Sequence, residues 1–285
     1  MGPDTMKLTV LVDNNTLTDH YLTGEPGLSF LIETGGRKIL FDTGYSDAFI
    51  RNAQQMGTRL LDLDYVVVSH GHLDHTGGLV HLVKHFTDAV IEKRQLKNPE
   101  LVAHPWCFYP KQKPPLGNSG SLLTEAEAGL RFSLRLSRSP LWLTNDLVFL
   151  GEIERTFDFE RTDPGNRKIV IPDGRIERDQ IRDDSALACR TPDGLVIVTG
   201  CSHAGICNIV EYARKVCDDN RVCDIIGGLH LLDPGAERLE KTCRYLGSLE
   251  LSALHACHCT SLSAKIALAG YCPVQEVGTG MKIEW

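Results

Sequence analysis

The chain has 285 residues, 42% of them hydrophobic and 24% charged, with a formal net charge of −7. That is enough apolar material for one large α/β domain, and the acidic balance argues against a basic nucleic-acid-binding surface. No apolar run approaches the ~18 residues of a membrane span, and no secretory signal is legible at the N-terminus. The ten cysteines contain no Cys-x-x-Cys pair and read as reduced thiols of a cytoplasmic protein.

Residues 1–5 precede a second methionine, Met6, and read as a leader. Strands are expected at Lys7–Val12, Ser29–Glu33 and Lys38–Phe41, separated by the Gly-Glu-Pro-Gly and Gly-Gly turns at residues 24–27 and 35–36. A helix over Ala48–Met56 leads to a short buried strand, Tyr65–Ser69, and then to a helix over Gly78–Phe86. Short strands follow at Ala89–Ile91 and Leu101–Ala103. From about Gln95 to Arg138 the chain is rich in proline and glycine, which reads as a cap or lid inserted into a single domain spanning 1–285. Strands return at Phe132–Leu136 and Leu147–Leu150, and Ser185–Cys189 with Leu195–Thr199 forms a hairpin turned by Pro192-Asp193-Gly194. A helix over Asn208–Cys217, a strand over Val222–Ile226 and a helix over Ala236–Leu246 come next. The chain closes with a strand at Ala253–Ala256, a helix at Leu262–Ala269 and a terminal strand at Val274–Val277. Strands in both halves with interspersed helices predict two sheets packed face to face with helices outside.

The most informative stretch is His70-Gly71-His72-Leu73-Asp74-His75, directly after the apolar strand 65–69. Imidazole and carboxylate are the donors that suit zinc, iron and manganese. Alternation along an extended segment puts His70 and His72 on one side, and the turn can aim Asp74 and His75 at a neighbouring point. One loop can therefore hold two metals. Three later histidines also follow strands: His203, His230 and His258. Side chains at strand ends converge on one rim, so His203 and His258 are expected to complete the ligand set. His230, Glu152 and Arg155 are placed as substrate contacts, with a rim ion pair as the alternative for Glu152 and Arg155. Asp183, Asp184 and Cys201 are placed behind the ligands, the Asp183-Asp184 pair orienting a histidine from outside or capping a turn and Cys201 as a packing thiol or a thiolate ligand. His255 is expected to pack or face solvent.

At His70–His75 the chain resembles the metallo-β-lactamase superfamily, whose signature is His-x-His-x-Asp-His. The likeness extends to Phe41-Asp42-Thr43-Gly44 and to the whole of Ser69–Leu79. Leu28-Ser29, Gly151–Arg155, Gly200–Ile206, Gly227–Leu231 and His258–Thr260 continue it in order. Within the superfamily these blocks resemble the branch of 7,8-dihydropterin-6-yl-methyl-4-(β-D-ribofuranosyl)aminobenzene 5′-phosphate synthases. The resemblance implies a four-layer αββα sandwich, two divalent transition metals with zinc first and iron or manganese as alternatives, and Asp74 as general base. It also implies that Asp42 supports the histidines from the preceding loop. The wider pattern has a bridging Asp after a late strand, and this chain has none there; Asp184 and Glu152 are the candidates by position. The functions in competition are hydrolysis of a small phosphorylated or ester-like metabolite, transfer of a pterin-methyl group from its diphosphate to an arylamine ribose phosphate, and non-catalytic metal binding or sensing. A small anionic metabolite is the expected partner, with no nucleic acid and no membrane, and a homo-oligomer is left open.

Overall fold

The computed structural model describes residues 5–161 and 163–285, so the first four residues of the expected leader lie outside it. The first half runs β1 (Lys7–Val12), β2 (Ser29–Thr34), β3 (Arg37–Phe41), α1 (Ala48–Gln55), β4 (Tyr65–Val67), α2 (Leu73–Thr76), α3 (Leu79–Ile91) and β5 (Glu100–Ala103). It continues through β6 (Lys111–Gln112), α4 (Glu125–Gly129), β7 (Ser133–Leu136), β8 (Leu141–Trp142) and β9 (Leu147–Phe149). The second half has β10 (Lys168–Val170), β11 (Ile176–Arg178), β12 (Ala186–Thr191), β13 (Gly194–Thr199), α5 (Ile206–Cys217), β14 (Val222–Gly228), α6 (Ala236–Gly247), β15 (Ala253–Cys257), α7 (Leu262–Ala269) and β16 (Lys282–Glu284).

Two large sheets form, ordered β16-β1-β2-β3-β4-β5-β7 and β15-β14-β13-β12-β9-β8, with a small third sheet β11-β10-β6. Alternation along the strands assigns each side chain to a layer. Ile39 and Phe41 of β3 join Val196 and Val198 of β13 in the core between the sheets. Leu40 faces the other way and packs with Phe49 of α1 and Leu82 and Phe86 of α3. Leu195 and Ile197 of β13 likewise face Val210 of α5 and Leu246 of α6. The result is four layers, αββα. Burying each large apolar side chain contributes roughly 1.5–3 kcal/mol, and both sheets are covered on both faces along these strands.

What matters for function is the parallel segment in each sheet. β3, β4, β5 and β7 run parallel, as do β13, β14 and β15. Parallel neighbours end on the same edge, so the residues after β3, β4, β13, β14 and β15 meet there.

Two expectations need correction. The proposed strand Ala89–Ile91 is the last turn of α3, where Leu79, Leu82, Phe86 and Ala89 continue one buried helical stripe. The terminal strand is β16, which pairs antiparallel with β1; Val274 makes only an isolated bridge to Leu254. Within Gln95–Arg138 the expected strands at Leu101–Ala103 and Phe132–Leu136 are β5 and β7 of the first sheet. The irregular part lies between them, and there Ser119 carbonyl accepts from Leu73 N at 3.0 Å and Gly120 bridges His72.

Candidate metal centre

Two groups of donor atoms face each other at this edge. His70, His72 and His203 form one, and Asp74, His75, Cys201 and His258 the other, each with its donor atoms within 4.8 Å of one another. The groups are adjacent, with the His70 and His75 rings 4.3 Å apart between centroids.

The partners behind each ring fix which nitrogen carries the proton. Asp42 follows β3 in a left-handed conformation (φ 56). Its Oδ2 accepts from His75 Nδ1 at 2.6 Å and from the Ser69 hydroxyl at 2.7 Å, and its Oδ1 accepts from Ser69 N at 2.7 Å. The Ser69 proton is thereby committed to the carboxylate, so His70 Nδ1, 2.9 Å from Ser69 Oγ, must be the donor in that contact. His258 Nδ1 lies 2.9 Å from Asn14 Oδ1, which can only accept, and Asp13 Oδ1 accepts from His258 N at 2.9 Å. The Nε2 atoms of His70, His75 and His258 are therefore all left as lone pairs.

Each of these atoms faces further donor atoms. His70 Nε2 is 3.0 Å from His72 Nδ1, and His203 Nε2 is 3.1 Å from the same atom. His75 Nε2 is 3.2 Å from both Cys201 Sγ and His258 Nε2. Asp74 Oδ2 adds a carboxylate 3.4 Å from His258 Nε2 and 3.7 Å from His75 Nε2. Ligands at about 2.1 Å around a tetrahedral cation sit about 3.4 Å apart. Burial pushes His70 and His203 well below the ordinary imidazole value and His72 down to about 3, with the crowded neighbouring histidines acting in the same direction on His70 and His203. His75 and His258 meet lone pair to lone pair, which repels unless a cation sits between them, and a single proton on His72 Nδ1 cannot fully serve both His70 Nε2 and His203 Nε2, so the donor set fits divalent metal.

Electrostatics in the second group run differently. Burial opposes charge on His75, but the carboxylates of Asp42 and Asp74 outweigh it and hold the ring above its ordinary value. Burial likewise opposes charge on Asp74, yet His75 and His258 keep its carboxyl well below the usual carboxylate range. Burial raises the Cys201 thiol well above its ordinary value in the absence of a cation; a bound metal reverses that by favouring thiolate.

A cavity of about 570 Å3 opens onto both groups and is lined by His72, Asp74, Cys201, His203 and His230. His230 follows β14 with φ 51, and burial together with Arg238 and Arg167 nearby pushes its ring down to about 4. Left-handed backbone at non-glycine residues costs roughly 1–3 kcal/mol each and tends to collect at functional sites. Here Asp42, Ser202, His230 and His258 all adopt it.

The structure does not bring Glu152 or Arg155 to this cavity. Glu152 accepts from Arg138 Nε at 3.0 Å, and Arg155 reaches back to Ile181 carbonyl at 2.7 Å. Their strand, β9, is separated from β13 by β12, about 10 Å away at the spacing of neighbouring strands. Cys201, placed in sequence behind the ligands, contributes its Sγ to the second group itself. Asp184 is buried behind that turn, where its Oδ2 accepts from Ala204 N at 2.8 Å and its Oδ1 has no partner; burial raises it to about 7. Neither Asp184 nor Glu152 joins a donor group. His255 pairs with Asp224 at 2.9 Å, away from the centre.

Sequence reasoning missed Lys111, Asp179 and Asn14, and gave no partner for Asp183. Lys111 is buried and donates to Asp183 Oδ1 at 2.9 Å and Asp179 Oδ2 at 3.2 Å, while Asp183 Oδ2 accepts from Gly71 N at 2.7 Å. This ion triad clamps the loop between the first two histidines. Asn14 could have been found by the same strand-end rule that found the histidines, since it lies just beyond β1. Nothing in the sequence marks Lys111.

Residues 22–171 match the profile of the Metallo-beta-lactamase superfamily. The chain belongs to that superfamily and is an enzyme of it, with a divalent-metal site. It is 32% identical over 274 residues to the 7,8-dihydropterin-6-methyl-4-(beta-D-ribofuranosyl)-aminobenzene-5′-phosphate synthase of Methanocaldococcus jannaschii, covering 92% of this chain and 90% of that one. An uncharacterized protein of the same organism is 27% identical over 265 residues, 92% of this chain and 93% of that one. Among solved structures, a metal-dependent hydrolase of the beta-lactamase superfamily superimposes with a TM-score of 0.80 at 26% identity, over 98% of each chain. Among the described residues, no helix is long and apolar enough to cross a membrane.

Proposed function

We propose that the chain is a metal-dependent hydrolase of a small phosphorylated or ester-like metabolite. The observation that carries this reading is the convergence of two donor groups on the floor of one open cavity, with Asp74 in the second group and also on the cavity wall. Bound there, a pair of divalent cations lowers the pKa of water and polarises a phosphoryl or carbonyl oxygen. His70, His72 and His203 would hold one ion and Asp74, His75, Cys201 and His258 the other. The mixed nitrogen, sulfur and oxygen donors favour zinc, with iron or manganese as alternatives.

Asp74 is the general base. Its neighbours keep it ionised, and its half-exposed position lets it orient a water and take its proton. Asp42, Ser69 and Asn14 hold the ligand rings in the tautomers the centre needs. His230, kept neutral, offers a ring nitrogen for hydrogen bonding at the cavity wall. The net charge of −7 disfavours a polyanion, so the partner is a small anionic metabolite rather than nucleic acid or membrane, met in the cytoplasm. A homo-oligomer is compatible with all of this.

The likeness to a named synthase favours a second reading: transfer of a pterin-methyl group from its diphosphate to an arylamine ribose phosphate, with the diphosphate placed at the same donors. Protein loaded with zinc, manganese or iron should hydrolyse bis-p-nitrophenyl phosphate or p-nitrophenyl phosphate, and Asp74→Asn should not. Absence of hydrolysis across a metabolite-ester library, together with coupled product from the pterin donor and arylamine acceptor, would replace the first reading by the second.

A further inference from the structure

The cavity over the metal centre has a neighbour. A second lobe of about 340 Å3 shares Arg167, His203, His230 and Leu232 with it and extends to Arg238. The two lobes differ in chemistry. The outer wall of the larger one carries Pro26, Tyr45, Leu73 and Leu116, apolar groups suited to a flat or aliphatic moiety. The smaller one carries two guanidiniums. Arg238 is partly buried, and its Nε has no hydrogen-bond partner. Among the described residues, neither Arg167 nor Arg238 has a carboxylate within ion-pair distance.

The carboxylates lining this lobe do not supply the missing partner. Asp179 is engaged by Lys111 at 3.2 Å and Asp163 by Arg178 at 3.7 Å, which leaves Asp233 alone against the two arginines. Lys113, on the wall of the larger lobe, adds a further positive charge. Glu160 attracts Arg238 from beyond ion-pair distance, but its own oxygens accept from Cys207 N at 3.0 Å and Asn208 N at 2.8 Å, so no carboxylate takes up the hydrogen-bond donors of the partly buried guanidinium. Two guanidiniums on one pocket present the fork-shaped donors that match a phosphate.

We propose that Arg167 and Arg238 form a distal anion subsite, separate from the metal ligands, that holds a phosphate monoester carried by the substrate at a point remote from the reacting bond. The substrate class that follows has three parts in line: a reacting group at the donor clusters, an apolar segment against Tyr45 and Leu116, and a terminal phosphate in the arginine lobe. This rests on the hydrolase reading only in placing the reacting group at the clusters. The terminal phosphate is a handle, bound before and after the reaction and left intact by it. Its binding energy fixes the substrate's position relative to the metal centre.

The test uses full-length protein stripped of metal by chelation, so that phosphate cannot be held by a cation. Calorimetric titration with phenyl phosphate should show saturable binding to the stripped wild type. Arg167→Gln and Arg238→Gln should each weaken it tenfold or more, with unchanged thermal unfolding as the check on folding. Arg238→Lys, which keeps the charge, should retain an intermediate affinity and serves if Arg238→Gln fails to fold. No binding by stripped wild type, or equal binding by the variants, overturns the subsite. Benzoate binding as tightly as phenyl phosphate overturns its assignment to phosphate. Failure of every hydrolysis assay while stripped protein still binds phenyl phosphate through these arginines would remove the hydrolase reading and leave the subsite standing.

Discussion

Asp42→Asn is the most discriminating single change in this site. The amide keeps the size of the carboxylate but replaces one acceptor oxygen with a donor. Its oxygen can still take the proton of Ser69 N, now accepted at 2.7 Å. Its NH2 then meets His75 Nδ1–H and the Ser69 hydroxyl, where Asp42 Oδ2 now accepts at 2.6 and 2.7 Å. Ser69 can turn its hydroxyl and accept, and it still receives His70 Nδ1–H. His75 has no such freedom. To accept from the amide its Nδ1 must lose the proton, which moves to Nε2, the atom that faces Cys201 and His258. The second donor group is thereby blocked while the first is spared. Losing a partner of this kind costs roughly 10–100-fold in metal affinity, about 1.4–2.7 kcal/mol, and the tautomer change adds to it. Titration of chelated protein against zinc in a competing buffer should show wild type with two sites and the variant with one site at near-normal affinity and one weakened at least tenfold. Two unperturbed sites in the variant would refute the tautomer argument; equal loss at both would show that the groups are not separable.

Other consequences follow from the same geometry. Asp74→Asn should abolish turnover while leaving the unfolding temperature within a few degrees, because the side chain is half-exposed; steady-state kinetics on any accepted ester would show near-wild-type kcat if the base lies elsewhere. Gly71→Ala should weaken metal binding and lower stability, since a Cβ there would meet the Cys107 carbonyl and Lys111 Cε and push the first two histidines apart; an unchanged metal titration would count against the clamp. In chelated protein, His70, His72, His203 and His230 all have folded-state values below the ordinary 6.5. The unfolded chain therefore takes up protons that the folded chain refuses, and stability falls as pH drops from about 6.5 toward 4, by up to about 1.4 kcal/mol per pH unit for each group. His75 and the buried carboxyl of Asp184, both held above their ordinary values, oppose this in part. Thermal unfolding of metal-free protein between pH 7 and 5 should show the decline, and a flat or rising profile would contradict the neutral assignment of the cluster.

The parts of the site that were legible in sequence share one property: their geometry is local or follows from strand direction. His70 through His75 supply their own arrangement, because one turn carries all four donors. His203 and His258 were reachable because β13 and β15 run parallel and must end on one edge. The same rule misled at Glu152 and Arg155, which also follow a strand, because sequence does not say how many strands separate that end from the metals. Cys201 was ambiguous since cysteine is commonly buried as a small apolar group, and all ten cysteines here are buried. Lys111, Arg167 and Arg238 were silent because charged residues are usually solvated; only tertiary packing buries the first and leaves the other two facing a cavity without partners. The proline-rich stretch between β5 and β7 was readable as irregular, and its flanking strands were placed to within one residue because their apolar runs are bounded by turn residues.

The central claim is that two distinct metal positions are built from seven named side chains. Anomalous diffraction at the absorption edge of the metal found in protein purified without chelator tests it most directly. The account predicts two peaks per chain, one among His70, His72 and His203 and the other among Asp74, His75, Cys201 and His258, with both lost in a His70→Ala/His75→Ala double variant. Peaks outside these groups, or full occupancy surviving in the double variant, would contradict it.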